Sequence, residues 1–157
     1  MVSLVTALFE HNLWANQRLV EACRGVPDAL LDATVEGTAG TIRETLMHIA
    51  GAEQRYVMRL CGRTPTYGEQ DGWPGLSLLA QALEESGSLF IELSAVADPD
   101  EVLESQNQGQ QASLPAAVVY VQAVNHATEH RSQIATILTQ QGVDAPDFSG
   151  WAWRRDR

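Results

Sequence analysis

Apolar residues recur at helical spacing in four long stretches of the chain. The first runs from about Ser3 to Arg24, with Leu4, Leu8, Ala15, Leu19 and Ala22 on one side of a helical wheel. Ser3 suits its N-cap, where a hydroxyl accepts from a free first-turn amide, and Gly25 and Pro27 end it. Residues 28–40 are rich in Thr and Gly and predict a short helical turn and a loop. The second helix opens at Thr41, with Glu44 three residues on to complete a capping box. Ile42, Leu46, Ile49, Tyr56, Val57 and Leu60 form its apolar face, and Gly62 closes it. Residues 63–75 hold two Pro and three Gly and predict a loop. The third helix spans about Leu76 to Ala97, with Leu79, Leu83, Phe90, Leu93 and Ala97 recurring at intervals near three and four. Gly87 is expected to weaken it by about 1 kcal/mol relative to Ala, and Asp98-Pro99 stops it. The polar, Gln-rich stretch 100–112 predicts a loop or a short irregular hairpin. The fourth helix runs from Ser113 or Leu114 to Gln141, with Pro115 in its first turn and Gly142 just past its end.

No strand-like alternation of any length appears. Four helices, each with one face to bury, predict an all-α fold: a four-helix bundle in a single domain over residues 1–157, with short extra helical turns. The tail 143–157 carries Phe148, Trp151 and Trp153, and so many aromatics predict docking on the bundle or on a partner subunit.

Composition narrows the function. At 157 residues the chain can bury a substantial core. Its formal net charge is −10, and all ten basic residues are Arg. An acidic chain repels phosphate backbones, so no nucleic-acid partner is expected. Without Lys there is no Schiff-base chemistry and no P-loop lysine. Cys23 and Cys61 form no CxxC pair, which points to isolated thiols in a reducing cytosol. The opening Met-Val-Ser-Leu-Val lacks a basic region and a cleavage site, and no apolar run approaches the ~20 residues of a membrane span. The expected location is cytoplasmic, with no membrane partner.

The chemistry concentrates in Asn125-His126-Ala127-Thr128-Glu129-His130-Arg131-Ser132-Gln133. His126 and His130 are i and i+4, so they share one helix face and can meet one metal ion, each through a ring nitrogen. They align with Val119 and Ile137 at one edge of the apolar arc. His48 lies inside another long helix, beside Thr45 and Ala52, which are small enough to let an imidazole reach inward. His126 and His130 alone read equally as hydrogen-bonded edge residues; the mid-helix position of all three favours a metal. His11, between Glu10 and Asn12, reads as a surface or interface residue. Ala127 follows the first His where a zincin of the His-Glu-x-x-His type needs Glu. The inverted order His-x-x-Glu-His is present, but that class is expected to carry a much longer catalytic domain and a further acidic ligand downstream. No His has Glu three residues before it, which argues against a di-iron bundle. Three neutral imidazoles leave coordination positions open, as catalytic sites do, and suit Zn²⁺ or Ni²⁺ best, with Fe²⁺ or Mn²⁺ as alternatives. Arg131 lies about a quarter turn from His130 and is expected to brace a loop or a dimer contact. Gln122 and Gln133 lie nearer the histidine edge, where they either orient a ligand or are simply solvated.

Three segments together resemble the DinB-like superfamily of metalloenzymes, which includes bacillithiol- and mycothiol-dependent transferases. Leu13-Trp14-Ala15-Asn16-Gln17-Arg18-Leu19 is similar to its Trp-x-Asn-x-x-Leu pattern. Ile42 to Ile49, followed by Ala52-Glu53, resembles its His-containing motif, and Asn125-His126 to Ile134 its Asn-His-x-x-x-His-Arg-x-Gln signature. The resemblance implies one divalent metal ion on His48, His126 and His130 in a bundle that often forms homodimers. It names no substrate, since the family spans thiol transferases, isomerases and members of unknown activity; by analogy with the transferases, the leading expectation is a low-molecular-weight thiol as cofactor and S-transfer to a small electrophile. A metal-dependent hydrolase and a non-catalytic metal-binding or stress-response module stay open beside it.

Overall fold

The computed structural model describes residues 3–107 and 110–157. Its four long helices are α1 (Leu4–Arg24), α2 (Ile42–Cys61), α3 (Leu76–Ala95) and α4 (Ala116–Gln140); a short α5 (Gly150–Arg155) follows. Local chemistry sets the ends. The Ser3 hydroxyl accepts from the Thr6 amide, and Thr41 and Glu44 form the reciprocal capping box. Gly62 and Gly142 take the left-handed conformation past the ends of α2 and α4, at φ +72° and +75°. Short 3₁₀ turns, Asp28–Asp32 and Glu69–Asp71, lie in the α1–α2 and α2–α3 connections.

Within the bundle α1 packs chiefly on α3, and α2 lies between α3 and α4. One apolar cluster joins Leu19, Val20, Ile42, Leu46, Leu79, Leu83, Ile134, Ile137 and Leu138. A second joins Phe9, Val57, Phe90 and Ala123, with Phe9 stacked on Phe90 at a centroid distance of 4.7 Å. Gly87 sits where α3 meets α1: a Cβ there would lie 2.7 Å from Leu13 Cδ1 and 3.0 Å from Leu13 Cβ. The loss of helix propensity expected at Gly87 therefore accompanies a close helix crossing that a side chain would block.

Two expectations change, at α1 and at the start of α4, and of the two readings of the stretch after α3 the hairpin is the one observed. The buried face of α1 is not the one drawn through Leu4, Leu8 and Ala22: Leu4 is 85% and Leu8 51% exposed. Phe9, Asn12, Leu13, Ala15, Asn16, Leu19, Val20 and Cys23 are buried instead. The polar residues Asn12 and Asn16 broke the stripe on the wheel, yet they face inward because partners inside the bundle satisfy them. The stretch after α3 is a hairpin, β1 (Val102–Asn107) antiparallel to β2 (Gln110–Pro115), with Leu103 opposite Leu114. Leu103 and the partly buried Leu114 pack with Ala116 and Val119 of α4, which is enough to anchor a two-stranded ribbon without regular alternation. Strand β2 also takes Ser113 to Pro115, so α4 begins at Ala116, with Pro115 as its cap.

The tail docks on the same chain. The Phe148 carbonyl accepts from His11 Nε2 at 2.7 Å, and the Trp153 ring lies edge-on to His11. Asp156 pairs with Arg18 and Trp14, and Arg157 with Glu10. Trp151 stays 73% exposed. Among the described residues no helix is long and apolar enough to cross a membrane.

Candidate metal centre

The side-by-side packing of α2 and α4 brings His48, His126 and His130 together. Each offers one ring nitrogen, and these three atoms lie within 4.8 Å of one another. The ring centroids are 4.4 Å apart for His126 and His130, 4.7 Å for His48 and His126, and 4.8 Å for His48 and His130. His126 and His130 are buried, while His48 is partly open to solvent. The i, i+4 spacing read from the sequence thus converges with the residue of the second helix.

Hydrogen bonds at Nδ1 assign the free nitrogen of two of the three rings. The Gln133 amide oxygen accepts from the Ala39 backbone N–H at 3.3 Å, which settles the orientation of that amide. The same oxygen lies 2.9 Å from His130 Nδ1, so Nδ1 is the donor and Nε2 of the neutral ring carries the lone pair. His48 Nδ1 lies 3.1 Å from Glu69 Oε2, an ionised acceptor, so His48 likewise keeps a lone pair on Nε2. That atom faces His126 Nε2 at 2.9 Å, where the two rings share one proton. Among the described residues, His126 Nδ1 is buried with no hydrogen-bond partner. Lone pairs therefore outnumber donors at the centre of the cluster, a deficit that a cation makes good. Rings oriented through Nδ1 by a carboxylate or amide oxygen are the usual support of histidine metal ligands. These residues fit a divalent ion.

Burial, then the nearby His130 and His48, push the His126 pKa down to about 4. Its imidazole is neutral at physiological pH, the form a metal needs. Arg55 borders the centre and adds to this depression, and the Tyr56 ring stands edge-on to His126 at 5.9 Å.

The other residues singled out in the sequence are placed as follows. His11 lies away from the cluster, held by the tail. Gln133 orients His130 instead of being merely solvated. Gln122 is exposed. Arg131, expected at a loop or dimer contact, is instead 2% exposed inside the bundle. Glu69 has no counterpart in the sequence reading: it sits in an irregular loop 21 residues from His48, and no periodicity connects the two. Cys23 and Cys61 are both free; burial pushes the Cys23 thiol up to about 12, while Cys61 is exposed.

The family model described as DinB family matches residues 1–154. The chain belongs to the DinB family. A curated relative, Protein DinB of Bacillus subtilis (strain 168), is 25% identical over 91% of this chain and 90% of its own length. The fold resembles the crystal structure of a DinB-like protein from Bacillus cereus ATCC 10987, with a TM-score of 0.65 and 17% identity over 88% of this chain and 91% of that one.

The DinB-type motifs contain more than the histidines, and the structure gives these other residues a common place. Asn16 of the first motif and Glu53 of the second meet Arg131 of the third in the middle of the bundle. Asn12 and Asn16 both donate to Glu53 Oε1 at 2.8 Å, and Arg131 Nη1 donates to both of their amide oxygens at 2.7 Å. Ser86 of α3 donates to Glu53 Oε2 at 2.8 Å. Burial pushes the Glu53 carboxyl up, against the pull of these three donors and the Arg131 charge. Burial likewise lowers Arg131, to about 10, against the opposing charge of Glu53. Each long helix contributes at least one member, so the network ties the whole bundle together behind the histidine face.

Proposed function

We propose that this DinB-family chain binds one divalent metal ion through His48, His126 and His130 and catalyses thiol S-transfer, in which a low-molecular-weight thiol loses its proton and is joined through its sulfur to a small electrophile. The observation that carries the metal assignment is the surplus of lone pairs among three converging imidazoles, two of them held by Nδ1 acceptors. Zn²⁺ and Ni²⁺ suit all-imidazole ligation best, with Fe²⁺ or Mn²⁺ as alternatives. A bound divalent ion would supply Lewis acidity and favour the deprotonated form of a coordinating thiol. The chain's own part is to keep His126 neutral, to hold the His48 and His130 rings in one tautomer, and to set the Arg55 cation beside the opening, where it favours an anionic ligand. The transfer reaction itself draws its support from the resemblance to thiol-dependent members of the superfamily.

Elemental analysis of protein purified without a His tag tests the metal, with close to one equivalent expected per chain. Incubation of the loaded protein with an electrophile, with and without bacillithiol or mycothiol, tests the reaction. Thiol-dependent consumption supports transfer, and thiol-independent consumption identifies a hydrolase. No consumption in either arm leaves a metal-binding module.

A second copy of the chain is the proposed macromolecular partner. The tail aromatics Phe148 and Trp153 are already seated on α1, so the support comes from elsewhere: Leu4 and Leu8 of α1 and Val118 and Val121 of α4 are exposed. Leu8→Asp with Val121→Asp is expected to convert a dimer to a ~17 kDa species in sedimentation, the mass of one chain; an unchanged dimer places the interface on another face.

A further inference from the structure

We propose that Glu69 is a positioning residue of the metal centre, and that Gly51 lacks a side chain so that Glu69 can reach it. The inference rests on the three-histidine reading above. His48, Gly51 and Arg55 follow one another along a single face of α2, at i, i+3 and i+7. Glu69 lies across that face from the Glu69–Asp71 turn. Its two oxygens divide the work: Oε2 meets His48 Nδ1 at 3.1 Å, and Oε1 accepts from Arg55 Nη1 at 2.6 Å.

Gly51 makes this approach feasible. A Cβ there would sit 2.8 Å from Glu69 Cγ, 3.1 Å from Glu69 Oε1 and 3.3 Å from Arg55 Nη1. Gly51 lies inside α2 and is not among the glycines with positive φ. Its backbone conformation is open to any residue, so a helix-weakening glycine is accounted for by the close approach of the carboxylate stem.

The turn that carries Glu69 is itself anchored. Gln54 of α2 accepts from the Thr66 amide at 3.0 Å and donates to the Ala82 carbonyl of α3. The Asp71 carboxylate accepts from the Gly68 amide at 2.8 Å, and the Tyr67 hydroxyl donates to the Gly72 carbonyl. Glu69 is thus delivered to His48 by a loop fixed to two helices. Its role follows from proton bookkeeping: an ionised carboxylate only accepts, so His48 must place its proton on Nδ1 and turn Nε2 toward His126 and His130. Arg55 holds the second oxygen and keeps the carboxylate aimed.

The test reads the His48 ring directly. Long-range ¹H–¹⁵N spectra of the metal-free protein report which ring nitrogen carries the proton. Wild type is expected to show His48 in the Nδ1–H form, and Glu69→Ala to shift it toward Nε2–H. Zn²⁺ titration of the same variant is expected to show affinity weakened by about 10- to 100-fold, the range for loss of such a support. Gly51→Ala, which leaves every proposed ligand and Glu69 itself in the sequence, is expected to reproduce both effects. Glu69→Gln, whose amide oxygen still accepts, is expected to fall between wild type and Glu69→Ala. An unchanged His48 tautomer in both Glu69→Ala and Gly51→Ala overturns the proposal. So does undiminished Zn²⁺ affinity in them while His126→Ala loses it, and in that case the three-histidine centre stands. If His126→Ala also binds Zn²⁺ like wild type, the centre itself falls.

Discussion

His130 and Arg131 are neighbours on α4 and enter two polar clusters of opposite character. Arg131 turns inward, where its donors meet Asn12 and Asn16, whose amides in turn meet Glu53, with Ser86 completing the set. Donors and acceptors match there, and every member is buried. His130 turns toward His48 and His126, where two Nε2 atoms share a proton and a buried Nδ1 has no partner. The closed cluster holds helices together. The open one, where His48 is partly exposed, retains unmet lone pairs, the feature on which the proposed metal assignment rests. Both clusters hold buried polar groups and they differ in the balance of donors against acceptors, which is what singles out the histidines as the candidate site.

Breaking the closed cluster is expected to have the largest effect on folding. Arg131→Ala removes the opposing charge from the fully buried Glu53 and leaves the Asn12 and Asn16 amide oxygens without their donor, and is expected to destabilise the protein by about 3–5 kcal/mol in urea unfolding. A loss below about 1 kcal/mol would mean that the network does not hold the helices as described.

His126→Ala sharpens the contrast from the other side. It is expected to weaken metal binding by more than about 100-fold, beyond the range for an outer support. Helix content by circular dichroism should stay close to wild type, because the apolar clusters that join the helices do not include His126. Unaltered metal affinity would remove His126 from the centre.

Acid should act on the open cluster in the metal-free protein. In the unfolded chain His126 takes up a proton near its ordinary value of 6.5, while in the folded chain burial and the neighbouring histidines delay uptake to about 4. Unfolding is thus coupled to proton uptake between these limits, so the His126 contribution to stability is present above about 6.5 and is lost as pH falls toward about 4. The loss is on the order of 2 kcal/mol, taking each pKa unit as about 1.4 kcal/mol and allowing for water reaching the site. Unfolding free energies measured across that window should fall more steeply for wild type than for His126→Ala; equal slopes would contradict it.

The smallest effect is expected at His11. His11→Ala removes a hydrogen bond to Phe148 and is expected to cost about 1 kcal/mol of stability, with metal affinity unchanged. A loss of metal affinity matching that of His126→Ala would break the assignment of ligands.

The sequence by itself determined what depends on neighbours within one helical turn. The Ser3 and Thr41–Glu44 caps, the Gly62 and Gly142 stops and the shared face of His126 and His130 all rest on spacings of three or four residues, which backbone geometry converts directly into contact. Family motifs extended this reach to His48. Tertiary structure decided the features whose partners are far apart along the chain. Asn12 and Asn16 look like interruptions of an apolar stripe until Arg131 and Glu53 are packed against them, so the buried face of α1 could not be read from α1 alone. Leu103 and Leu114 become a ribbon only against Ala116 and Val119. Glu69 reaches His48 through an irregular loop and over a bare Gly51, and no local period encodes where such a loop lands. Helical periodicity fixes which side chains of one helix stand together, whereas the satisfaction of buried polar groups depends on which helices and loops are brought face to face.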